Sequence, residues 1–210
     1  MNTSLLPPPG QLAELVTKNT EINQHTPLDR ISVVANPEIL VCTLGLNIIN
    51  GCVQMGVRRE DGKVTGPGGK ADPKDIDIQS ALYREVREEV GITPAQASLR
   101  GVILTLKNES TISSPKGTLS YVAKISYPLF ETMEPNGEID KFQWYNPDYA
   151  LPRERQMFPS DTYWLRDAVY GLFVSGDYQE GVRGQPGQFT ERPAAEILEA
   201  AGVKLFTQTA

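Results

Sequence analysis

Apolar residues fall into short β-like runs over much of the chain and change to a helical period at a few places. Residues 39–46 and 52–57 are such runs, separated by Asn50-Gly51, a dipeptide that accepts positive φ in a tight turn, so they predict a hairpin. Over residues 60–77, Gly62, Gly66, Pro67, Gly68, Gly69 and Pro73 break regular structure and predict a loop. The period then changes: Leu82, Val86 and Val90 recur every fourth position, which predicts a helix over residues 78–90, with Asp77 capping its start and Gly91 ending it. Residues 100–106, 119–125 and 141–145 read as strands. A second helix is expected over residues 161–173, with Trp164, Leu165, Ala168, Val169 and Leu172 at helical spacing. Residues 176–190 read as Gly-rich loop, and 192–202 as a short terminal helix closed by Gly202. The Pro-rich start, with one amphipathic turn at Leu12, Leu15 and Val16, reads as an appended arm. The organisation expected is an N-terminal arm (1–36), a central domain (37–180), and a C-terminal loop with a short helix (181–210). Strands on both sides of a central helix, without strict strand–helix–strand alternation, indicate an α+β fold with a mixed sheet.

Composition narrows the function. With 210 residues, 40% hydrophobic and 22% charged, the chain can bury one substantial core. No run approaches the roughly 18 to 20 apolar residues of a membrane helix, and the start lacks a signal-peptide pattern, so no membrane partner is expected and a cytoplasmic location is. A net charge of −6 opposes binding to polymeric nucleic acid, which needs an excess of Lys and Arg. Cys42 and Cys52, in apolar segments, form neither a metal-ligand cluster nor a disulfide framework, and read as buried free thiols. The single histidine, His25, leaves little material for a Ser-His-Asp relay or a His-rich zinc site. Any chemistry must come from carboxylates, amines or hydroxyls, and the oligomeric state stays open.

The segment with such chemistry is the first helix. Glu85, Glu88 and Glu89 stand at i, i+3 and i+4, so they share one helical flank beside the apolar stripe. A Glu-rich run is most often a solvated helix face. Here, however, Gly68-Gly69 precedes the helix and allows close backbone approach, and three crowded carboxylates are costly unless a cation joins them. Oxygen ligands suit a hard divalent ion, Mg2+ first and Mn2+ as an alternative. Arg84, four residues before Glu88, is placed to orient it. The loop is no P-loop, since Lys70 is followed by Ala71 and position 64 is Val.

Gly69 together with Arg84-Glu85-Val86-x-Glu88-Glu89-x-Gly91-Ile92 resembles the Nudix box, the signature of hydrolases that cleave nucleoside diphosphates linked to another moiety. The second half matches throughout. In the first half, Gly69 stands one residue too far from Arg84, and Ile76, flanked by Asp75 and Asp77, takes the place of a Glu. The resemblance implies an α/β/α sandwich. It also implies metal ligation by Glu85, Glu88, Glu89 and the Gly69 carbonyl, with Arg84 orienting a glutamate and Glu85 doubling as base. It leaves open whether Asp75 or Asp77 replaces the box Glu. Glu138, in the segment that resembles the family's source of a further acid, is a candidate catalytic residue; it reads equally as a solvated turn carboxylate.

Met157-Phe158-Pro159-Ser160-Asp161-Thr162-Tyr163-Trp164 is similar to a base-binding segment of the animal MutT-homologue enzymes, which hydrolyse oxidised purine nucleoside triphosphates to monophosphates and pyrophosphate. By that resemblance Phe158 stacks on the base, while Ser160 and Asp161 read its edge. Thr65 stands near a further base-binding position, and Lys70 is the remaining substrate-binding candidate. The same stretch reads otherwise as a helix start with Asp161 as N-cap and core aromatics. Arg58 and Arg59, at the end of the second strand, are candidate phosphate contacts or ordinary surface cations. The expected function is Mg2+-dependent hydrolysis of a nucleoside triphosphate. The alternatives are an ADP-sugar or dinucleoside polyphosphate hydrolase and a catalytically silent binding module.

Overall fold

The computed structural model describes residues 22–31, 33, 38–107, 116–127, 133–149, 156–182 and 185–203. The amphipathic turn expected at Leu12, Leu15 and Val16 lies outside the described residues. Strand β1 (Ile39–Ile49) and β2 (Cys52–Arg58) pair antiparallel, with Ile49 opposite Cys52. Asn50 at φ 51° and Gly51 at φ 73° both occupy the left-handed region that a two-residue hairpin turn requires. β2 also pairs antiparallel with β3 (Val64–Thr65) and with β6 (Ile139–Tyr145). On its other side β1 runs parallel to β5 (Gly117–Ser126), and β5 runs antiparallel to β4 (Gln96–Leu106). β4 then pairs parallel with β7 (Val174–Gln179), and β7 antiparallel with β8 (Gln188–Glu191). The product is a mixed 8-stranded sheet ordered β3-β2-β1-β5-β4-β7-β8, with β6 attached to β2.

Three helices cover it: α1 (Ile78–Val90), α2 (Asp161–Val169) and α3 (Ala194–Ala200). The two-residue period of the strands separates two cores. On one face, Leu119, Tyr121, Ala123 and Ile125 of β5 pack with Leu82 and Val86 of α1, with Ile197 and Leu198 of α3, and with Leu28 and Ile31. On the other, Val122 and Ile103 pack with Trp164, Leu165, Ala168 and Val169 of α2. The sheet thus lies between two helical layers, the α+β sandwich anticipated from the sequence.

Three local expectations are corrected. Helix α2 stops at Val169 rather than residue 173: Gly171 takes φ 90°, and Leu172, expected on the apolar stripe, is 58% exposed. Asp161 does not cap that helix. Ser160 precedes it in a helical conformation with no side-chain cap, and Asp161 sits inside the first turn, buried. Residues 176–190 are not all loop, because β7 and β8 pair there. A Cβ on Gly176 would stand 2.5 Å from Phe189 Cζ and Thr190 O, so glycine at this position lets the strands close rather than breaking them. Strand β8 and helix α3 therefore share the sheet and the α1-side core.

Candidate active site

The carboxylate flank of α1 is oriented by the helix ends. Asp77 Oδ1 accepts from Ser80 N at 2.7 Å and Ser80 Oγ accepts from Asp77 N at 3.1 Å, a reciprocal capping box. Gly91 closes the other end at φ 76° and donates to Arg87 O at 2.9 Å. With Ile78, Ala81, Leu82, Val86 and Val90 buried against the sheet, Glu85 and Glu89 are directed toward the Gly68-Gly69 loop.

That loop is laced to β1 by Thr43 N–H donating to Gly69 O at 2.8 Å, Gly45 N–H to Pro67 O at 2.7 Å, and Ala71 N–H to Val41 O at 2.9 Å. Gly68 has φ 153°, and a Cβ there would run into Thr43 O. A Cβ on Gly69 would stand 2.5 Å from Glu85 Oε2. Both glycines are required by this close approach. Gly68 N–H donates to Glu89 Oε2 at 2.7 Å.

Arg84 organises the remaining carboxylates. Its Nη1 donates to Glu85 Oε1 at 2.8 Å and to Glu88 Oε2 at 3.2 Å, and its Nη2 donates to Lys70 O at 2.9 Å. Asp75 takes a two-pronged bond from the same guanidinium, from Nε at 3.1 Å and from Nη2 at 2.9 Å. Of the two aspartates flanking Ile76, Asp75 therefore faces Arg84 while Asp77 caps the helix. The Arg84 hydrogen bonds hold the Asp75 carboxyl below its ordinary range.

Burial works against ionisation of the other acids. Desolvation raises the pKa of Glu85 against the opposing pull of Arg84, with Glu88 and Glu138 adding to the rise. Glu89 is pushed up to about 7, chiefly by burial, with Glu85 and Glu138 adding; the Gly68 N–H and Arg58 oppose. Glu138, exposed at the start of β6, is thus brought within electrostatic reach of both glutamates. Its backbone O accepts from Arg59 N at 2.9 Å.

Among the described residues no three His, Cys, Asp or Glu side chains are gathered closely enough to coordinate one ion as they stand. Arg84 and the Gly68 N–H occupy carboxylate oxygens that a cation would share. The donor set nevertheless fits a hard divalent cation. Three carboxylates meet one guanidinium with Glu89 beside them on the Gly68 N–H, every donor is oxygen, and the cradle at Gly69 would be filled by a Cβ. The Gly69 carbonyl spends one lone pair on Thr43 N–H and keeps another.

The base-binding candidates lie in a second group. An isolated bridge between Val64 and Met157 places β3, with Thr65, beside the segment leading into α2. Thr65, Ser160 and Asp161 are all buried, and Ser160 Oγ donates to Asp161 Oδ1 at 3.1 Å. Burial pushes the Asp161 carboxyl up to about 7, opposed by Ser160 and Lys63. Phe158 is half-buried, with Lys63 Nζ 4.8 Å and Arg58 Cζ 5.4 Å from its ring centroid. Lys70 is exposed and, in this structure, serves Arg84 through its backbone O. Nothing in the local sequence singled out Lys63, because its partners, Met157 and Phe158, lie more than ninety residues away. Two open clefts of about 510 and 540 Å3 are lined by none of these residues.

The family model of the NUDIX domain matches residues 52–168. The peroxisomal coenzyme A diphosphatase of mouse (Mus musculus) is 29% identical over 150 residues, covering 68% of this chain and 60% of the mouse protein, so the match spans under two thirds of that relative's length. Among solved structures, the MutT protein of Bacillus halodurans superposes with a TM-score of 0.53 at 19% identity, covering 73% of this chain and 98% of that one. A NUDIX hydrolase from Nitrosomonas europaea gives 0.50 at 16% identity, covering 70% of this chain and 81% of that one. At these identities the structural likeness speaks for the fold.

Proposed function

The chain belongs to the Nudix family, and on that premise we propose that it is a divalent-metal-dependent hydrolase of phosphoanhydrides in small nucleotides. We further propose that its substrate is a nucleoside diphosphate joined to a second moiety, as coenzyme A is for the mouse relative. The observation that carries the reading is the Arg84-centred array, in which one guanidinium fixed by Asp75 and Lys70 O holds Glu85 and Glu88 beside Glu89 and the bare backbone of Gly69.

Glu85, Glu88, Glu89 and the Gly69 carbonyl would hold Mg2+, or Mn2+ in its place. When bound, such ions neutralise phosphate oxygens and make water a better nucleophile. The protein's own part is to place the carboxylates and to take the proton of the attacking water. Glu85, whose carboxylate stands against the Gly69 backbone, is placed for that task. Glu138 adds negative charge toward the same point. Water adds across the anhydride and leaves two phosphate monoesters.

An oxidised purine nucleoside triphosphate, cleaved to monophosphate and pyrophosphate, is the second reading. The Val64 to Met157 bridge favours it by bringing Thr65, Phe158 and Asp161 into one neighbourhood. It ranks second because Ser160 and Asp161 are buried and bonded to each other. A panel of coenzyme A, ADP-ribose, a dinucleoside polyphosphate and an 8-oxopurine nucleoside triphosphate, assayed with Mg2+ and with Mn2+, separates the readings. Two monoesters from coenzyme A or ADP-ribose, or a pair of nucleotides from the dinucleoside polyphosphate, support the leading one, and pyrophosphate from the last supports the second. No product from any of them under either ion leaves a silent binding module. The cytoplasmic location expected from the sequence remains a proposal beside the peroxisomal address in the mouse relative's name; among the described residues no helix is long and apolar enough to cross a membrane.

A further inference from the structure

Two cations converge on one ring. Lys63 Nζ and Arg58 Cζ lie 4.8 and 5.4 Å from the centroid of Phe158, a segment held against β3 by the Val64 to Met157 bridge. Arg58 is balanced by Glu60 at 2.7 Å and Asp61 at 3.5 Å. Lys63 differs: among the described residues no carboxylate lies within salt-bridge distance of it, and its ammonium makes only a long 3.4 Å bond to Met157 O. Asp161, which is buried in the core, feels its charge. A half-buried ammonium braced on an aromatic face, beside a second cation and with no counter-ion among the described residues, is in want of an anion.

We propose that Lys63 and Arg58, braced on Phe158, receive a phosphate that the substrate carries outside the anhydride being cleaved, and so set the enzyme's preference for nucleotides with such a phosphate. The proposal rests on the leading reading above for its substrate, though not for its binding chemistry. Lys63 selects and Phe158 braces; neither touches the reacting atoms.

The test compares kcat/KM on coenzyme A and on 3′-dephospho-coenzyme A, which differ by one phosphate, for the wild type, Lys63→Met and Lys63→Arg. In parallel, calorimetry without metal compares adenosine 3′,5′-bisphosphate with AMP as ligands of the same three proteins. The wild type favours the phosphate-bearing member of each pair. Lys63→Met lowers that preference by about tenfold or more, and Lys63→Arg, which keeps the charge, retains most of it. A preference unchanged in Lys63→Met, absent from the wild type, or lost equally in Lys63→Arg overturns the proposal. If the wild type cleaves neither coenzyme A compound, the substrate assignment above has failed, and the bisphosphate titration alone decides this inference.

Discussion

Asp161→Asn separates a structural aspartate from a substrate-reading one. The carboxyl is buried in the first turn of α2, takes a bond from Ser160 Oγ at 3.1 Å, and has Lys63 as the charge that opposes its protonation. Its pKa rises from an ordinary 3.8 to about 7 in the folded chain. A folded-state pKa above the unfolded one means that the folded chain binds the extra proton, so this contribution is complete below pH 4 and is lost as pH climbs through 7. At about 1.4 kcal/mol per pH unit, the whole span corresponds to about 4 kcal/mol, of which about 3 develops between pH 5 and pH 8. Asparagine keeps an acceptor for Ser160 and does not titrate, so Asp161→Asn should gain on the wild type by that amount as pH rises. Urea unfolding followed through the buried Trp164 reads the gain directly. With a slope of about 2 kcal/mol per molar urea, the two midpoints separate by about 1.5 M more at pH 8 than at pH 5. A separation that does not change with pH refutes the argument. So does an Asp161→Asn protein of wild-type stability whose base preference has switched, because that outcome makes the carboxyl a reader of substrate.

The remaining predictions concern the acid flank. Glu88→Gln, at an exposed side chain with one 3.2 Å bond to Arg84, should leave the thermal midpoint nearly unchanged and lower kcat by about two orders of magnitude or more; full turnover would defeat the enzyme assignment. Gly69→Ala places a Cβ 2.5 Å from Glu85 Oε2, so Glu85 must swing away; about 1 to 3 kcal/mol of stability and most of the activity should go together, as denaturant titration and turnover would show. Asp75→Asn removes the charge that fixes a partly exposed Arg84, and should lower kcat by about 10 to 100-fold with a stability loss near 1 kcal/mol. Equal activity in Asp75→Asn would show that Arg84 is held well enough by Lys70 O and the two glutamates.

Residues close together in sequence were legible because their physics is local. The Asn50-Gly51 turn needs only two residues tolerant of positive φ, and α1 needs only a cap at Asp77, an apolar stripe and a terminating glycine. Spacing alone placed Glu85, Glu88 and Glu89 on one flank. Residues 176–190 misled because a glycine weakens a strand unless a partner closes on it, and that partner, Phe189, comes from the next strand. The end of α2 misled because Leu172 fits the helical period, yet Gly171 turns the chain toward β7.

What the sequence by itself determined, then, is the set of elements and the acidic helix face, since turn chemistry, capping and periodicity act within a few residues. Which of Asp75 and Asp77 meets Arg84, whether Ser160 and Asp161 face solvent or the core, and that Lys63 stands over Phe158 were decided only by tertiary structure. Each depends on how strands paired across long stretches of chain bring loops together, and a side chain's burial and charge partners are properties of that assembly rather than of its neighbours in sequence.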